Sequence, residues 1–157
     1  GAGLAAGPLG PAGQAPEVFL VSAAEAEKQY KLALQLTPDN DYRALAPIHN
    51  RLGNLYSDLG QFDSARHHFE RDIQCEEEVG NRFGAGQTRY HVSIMYHRVA
   101  EHDKQKASKR ANLTRARAYA EAAMRDFQSY KGNAAAEEAQ AQRVIEVINE
   151  EIAALGP

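Results

Sequence analysis

HNRLGNLYSDLGQFDSARHHF, residues 49–69, holds two helical segments separated by a single glycine. Leu52 and Tyr56 stand four apart and share one helix face. Gly53 lets a second helix approach that face closely, and Ala65 is a small residue facing the gap. Gly60 punctuates the two segments. Outward from this stretch, residues 17–155 are dominated by Ala, Leu, Glu, Gln and Arg, strong helix formers, with few of the β-branched alternations a strand requires. Further breaks fall at Pro38-Asp39-Asn40, Gly80-Asn81, Gly84 to Gly86 and Gly132-Asn133. Helices of about 12 to 20 residues fit between them, so the expected class is all-α.

The 157 residues include 43% hydrophobic and 25% charged side chains, a globular composition. A chain this long buries about two thirds of the surface its unfolded form exposes, so it folds without a metal or disulfide staple. Cys75 is the only cysteine, which excludes an internal disulfide framework. Eighteen basic against 21 acidic residues leave a net charge of -3, excluding the globally basic footprint of a protein devoted to nucleic acid. No apolar run approaches the ~20 residues of a membrane span and no signal peptide opens the chain, so a cytoplasmic protein without membrane contact is expected. Residues 1–16, GAGLAAGPLGPAGQAP, combine five glycines and three prolines with no charge, and read as a disordered linker or cloning remnant ahead of a folded region at 17–157.

The chain is self-similar. Val92, Ser93 and Tyr96 repeat Leu52, Gly53 and Tyr56 at an offset of 40, and Val144, Ile145 and Ile148 repeat them 52 residues further on. The longer step implies about a dozen inserted residues. Leu52-Gly53, Tyr56, Ala65 and Phe69, in these spacings, resemble the tetratricopeptide repeat. In that light Ala26, Tyr30, Ala33, Leu34 and Pro38 look like the second helix of a preceding repeat, and Leu113, Ala116, Ala120, Ala123 and Met124 like that of a later one. The insertion then lies at about 103–112. The 40-residue period and the linker EEEVGNRFGAGQTRY resemble the long-repeat subclass of bacterial regulatory proteins and of cell-polarity scaffolds such as Pins. His49 departs from the pattern where the family favours Trp, and Asp72 where a small packing residue is usual.

The resemblance implies an α-solenoid of antiparallel helix hairpins, a superhelix of about six helices. The first repeat lacks its first helix, for which Pro16 to Ala23 could supply only a short one, suggesting a fragment of something longer. An uncapped apolar face around Tyr30 and Leu34 makes homo-oligomers an option, and Ile145 to Leu155 would close the array with Glu146, Glu150 and Glu151 facing water.

Function, if it follows the resemblance, is protein or peptide binding by a non-catalytic module on the concave surface lined by the first helix of each pair. That surface should carry Asn50, Asn54, Ser57 and Asp58, then Tyr90, Ile94, His97 and Arg98, and then Gln142, Glu146 and Asn149. Asn amides offer donors and an acceptor to an extended backbone, and Tyr90 with Ile94 could form a side-chain pocket. The competing reading of any one position is an ordinary solvated helix face. Chaperone-binding members of the family clamp a terminal carboxylate with Lys, Arg and Asn; Gln87 and His91 stand where the later basic residues belong, which argues against that variant.

Residues 98–117 hold seven basic side chains, Arg98, Lys104, Lys106, Lys109, Arg110, Arg115 and Arg117, against Glu101 and Asp103, a local net of +5. With no Gly or Pro from Gln87 to Lys131, the insertion should lengthen both helices of its repeat into a basic prong. Lys104, Lys106, Lys109 and Arg110 would meet an acidic partner or a phosphate backbone there, or merely solvate a hairpin tip. The absence of aromatic residues from the insertion argues against single-stranded nucleic acid. A third expectation is a regulatory sensor controlling an attached effector domain.

No enzyme, cofactor or metal is expected. His67 and His68 are adjacent and should point to different sides of a helix, while His91, His97 and His102 are spaced by six and five, not by the four of a helical zinc pair. Cys75 precedes Glu76, Glu77 and Glu78, whose field disfavours a thiolate. GNRFGAG at 80–86 lacks the Lys-Ser/Thr ending of a phosphate loop and follows a helix where that loop needs a strand.

Overall fold

The computed structural model describes residues 16–157 and folds them into six α-helices: α1 Pro16–Leu36, α2 Tyr42–Asp58, α3 Phe62–Glu78, α4 Arg82–Glu101, α5 Lys106–Gln128 and α6 Ala135–Leu155. The described residues are thus all-α, as their helical propensity requires. They form two compact units divided after Gly80, and in each unit consecutive helices pack as antiparallel pairs. The supposed linker lies outside the described residues apart from Pro16, which opens α1. None of the helices is long and apolar enough to cross a membrane.

In the first unit, Asp41 caps α2 by accepting from the Ala44 amide at 3.3 Å. Both α2 and α3 are stopped by a left-handed glycine, Gly60 at φ 75° and Gly80 at φ 73°. Leu45, Ala46, Ile48, Leu52 and Tyr56 of α2 are buried, as are Ala65, Phe69, Ile73 and Cys75 of α3. Gly53 permits the tightest approach: a Cβ there would sit 2.7 Å from Cδ1 and Cε1 of Phe69.

The structure corrects the reading of α1. Residues 16–23 are not a separate short helix but continue without a break into 24–36. Tyr30 and Leu34 are half-buried, and Leu34 packs on the cluster of Leu45, Ala46 and Cys75. The exposed apolar side chains of α1 are instead Leu20, Val21, Leu32 and Leu36. Phe19 and Ala23 set the buried face, and Tyr30 and Leu34 fall near it at helical spacing.

In the second unit Asn81 caps α4 through the Gly84 amide at 3.0 Å. Gly84 to Gly86 are therefore not a break. They lie inside α4, where Gly86 makes room for α5: a Cβ on it would be 2.9 Å from Asp126 Cβ and from Phe127 Cε1. Leu113, Ala116, Ala120, Ala123 and Phe127 form the buried stripe of α5 against buried Ala85, Val92, Met95, Tyr96 and Ala100 of α4. These two helices run 20 and 23 residues, against 17 for each of α2 and α3.

The insertion is only partly helical, because 103–105 belong to the connection and 106–112 form the first turns of α5. Asp103 organises that corner, accepting from the Gln105 amide at 3.2 Å, Asn112 Nδ2 at 3.2 Å and the Ser108 hydroxyl. The Ser108 bond is the leading cause that holds its carboxyl below the usual range.

Candidate functional site

On α2 the structure separates the four polar residues expected to share a face. Ser57 is buried, and Asn50 donates from Nδ2 to Oδ2 of buried Asp72 at 3.0 Å. Asn54 in turn donates to Asn50 Oδ1 at 3.1 Å. Asn54 and Asp58 remain exposed. Asp72, the departure from the small-residue pattern, is explained by this α2–α3 bond, since a buried carboxylate needs a donor.

In the second unit the expected pair Tyr90 and Ile94 divides. Tyr90 packs beside Phe83 and Tyr130 on the core of Ala123, Phe127 and Ala134. Ile94 lines a recess of about 190 Å³ between α4 and α6, together with His97, Arg143, Val144 and Val147. Val147 is 43% exposed although apolar. His97 is anchored from both sides: Nε2 lies 2.9 and 3.0 Å from the Glu151 carboxylate oxygens and Nδ1 3.5 Å from Glu101 Oε1. Glu151, expected to face water, therefore reaches α4 instead.

Gln142 and Glu146 do not line the recess. They bond to each other at 3.1 Å on the exposed side of α6, one residue out of register with Arg143 and Val147. Buried Ala141 and Ile148 set the rotation of α6, and positions 144 and 147 flank that stripe. The signal that could have found them is Val147 itself, an apolar residue three positions beyond Val144 and next to Ile148. Asn149 accepts from Arg117 Nη1 at 2.9 Å, and Arg98 is exposed.

The basic residues of the insertion are partly engaged. Lys106 Nζ donates to the Pro157 carbonyl at 2.9 Å, and the Arg110 guanidinium donates to the Gly156 carbonyl. Lys109 stands near Asp103, and Lys104 is exposed. Arg115 lies over the Tyr96 ring, 5.8 Å from its centroid.

A cluster missed in the sequence lies between α2 and α3. His49 Nδ1 and His68 Nδ1 are 3.0 Å apart, Tyr56 stacks on His68 at 5.4 Å, and the His67 ring stands edge-on to His68 at 5.2 Å. His67 is exposed and His68 is half-buried against α2, yet their rings touch. Burial and neighbouring positive charges lower both His49 and His68 to about 4. The one available hint was His49 in a position expected to hold a large aromatic. Cys75 is buried, and burial first, then Asp72, Glu76 and Glu78, push its thiol up. Among the described residues no three His, Cys, Asp or Glu side chains converge as metal ligands would. No family model, curated protein or solved structure matches the chain.

Proposed function

We propose that the chain is a non-catalytic, tetratricopeptide-like helical-repeat module that binds a protein or peptide through the α4/α6 recess. The Leu52-Gly53-x2-Tyr56 pattern, its looser copies at Val92-Ser93-x2-Tyr96 and Val144-Ile145-x2-Ile148, and the close Gly53–Phe69 packing support the repeat reading. The observation that carries the binding reading is the recess itself. Its 190 Å³ fall short of the ~300 Å³ at which small-molecule and cofactor sites begin, and suit one large side chain of a peptide. Ile94, Val144 and Val147 supply apolar contact, while His97 and Arg143 at the same recess supply orientation. The contacts of His97 with Glu151 and Glu101 hold its ring in place before a partner arrives, which limits the ordering entropy of binding.

The test is selection of peptides on the whole chain from a random display library, followed by affinity measurement on Ile94→Asp and Val147→Asp. Each variant buries a carboxylate in the apolar recess on binding and should weaken the selected peptides at least tenfold, about 1.4 kcal/mol. Asn54→Ala, on the exposed side of α2, should leave them unchanged. Equal binding by the recess variants would move the site elsewhere.

A further inference from the structure

The 5.3 Å between the His49 and His68 ring centroids is the 3.0 Å Nδ1···Nδ1 contact plus a ring radius at each end, and the ring planes lie 27° apart. The two nitrogens thus point at one another. Such a contact holds one proton between two lone pairs, so one ring donates and the other accepts. A neutral pair of opposite tautomers meets this condition, and so does a pair carrying one extra proton. Two imidazolium rings do not, because both nitrogens then bear hydrogen.

The surroundings offer little to balance a second charge. On His49 act Arg71 and His67 of α3 besides His68, and on His68 act His67 and, from α1, Lys31. Tyr56 of α2 stacks on His68, with Glu27 of α1 near the Tyr56 hydroxyl and hydrogen-bonded to Lys31. Asp72 of α3 is engaged by Asn50. We propose that the His49–His68 pair is an acid-sensitive latch, joining α2 to α3 while it shares one proton and parting them when both rings are protonated.

The open hairpin takes up protons near 6.5 and the closed one only near 4. The closed form therefore loses stability as pH falls from 6.5 towards 4, and loses none above that window.

The experiment uses the full chain. At pH 7, nitrogen NMR should show opposite tautomers for His49 and His68 and a coupling across the Nδ1–H···Nδ1 bond. Between pH 7.5 and 4.5, amide-exchange protection in α2 and α3, corrected for intrinsic rate, should fall at least tenfold, with α4 and α5 changing less than threefold. The double variant His49→Phe, His68→Phe should abolish the selective loss; His68→Gln, which keeps a non-titrating donor, serves if the double variant does not fold. Two rings titrating independently near 6.5, or a selective loss that persists in a folded variant, would overturn the proposal.

Discussion

Replacing Gly53 by valine is expected to destabilise the first unit by about 3 kcal/mol, the upper part of the range for overpacking. A Cβ at this position meets the Phe69 ring at 2.7 Å, and Phe69 is itself buried, so the ring is not free to swing into solvent. Valine adds two methyl groups beyond the Cβ. Against this stands a helix-propensity gain of well under 1 kcal/mol over glycine, too small to offset the clash. Thermal unfolding followed by circular dichroism should show a Tm drop of about 10 °C. A companion variant decides the mechanism: pairing Gly53→Val with Phe69→Leu should cost less than the sum of the single changes, because the smaller side chain relieves the contact. Additive losses would mean that the glycine serves another purpose.

Asp126→Ala carries the other large effect, about 3 kcal/mol, and strikes the second unit. Its carboxylate accepts from Arg82 Nε at 2.9 Å and from Arg89 Nη1 at 2.6 Å, and its side chain is only 7% exposed. Removing one partner of a buried pair costs about 3–5 kcal/mol, and the lower end applies because Arg82 is 53% exposed and Arg89 21%. Asp126→Asn keeps the shape and one acceptor but loses the charge, so denaturant titration should place it between wild type and Ala. Two indistinguishable variants would show that charge, not shape, matters at this site.

Much of the architecture was legible because it is written locally. Leu52, Gly53, Tyr56, Ala65 and Phe69 carry their roles in their spacing, and all but Gly53 act through burial on a face that helical periodicity defines. The same holds for Leu113, Ala116, Ala120 and Ala123 on α5. Gly86 was misleading for a physical reason: a glycine that ends a helix and a glycine that admits a neighbour are the same residue, and only Phe127 and Asp126 reveal which is present.

The candidate site was legible only in part. Ile94 and His97 line the recess beside α6, whereas Gln142 and Glu146 lie one residue away from Arg143 and Val147, which line it. A single residue turns a helix by about 100°, so a small error in rotation exchanges a lining side chain for an exposed one. Asn50 is half-buried with its amide engaged by Asp72 of α3, and Ser57 is buried, so a face read from spacing alone is not uniformly exposed.

The sequence by itself determined that the described chain is helical, where most helices stop, and which apolar residues bind α2 to α3 and α4 to α5. Those properties depend on propensity, capping and periodicity within short segments. Only the tertiary structure decided that His49 meets His68, that Asp126 gathers two arginines 37 and 44 residues away, and that the recess belongs to Val144 and Val147. Each of these requires two helices to be fixed in depth and rotation against each other, and that is set by the packing of whole faces rather than by any one stretch of chain.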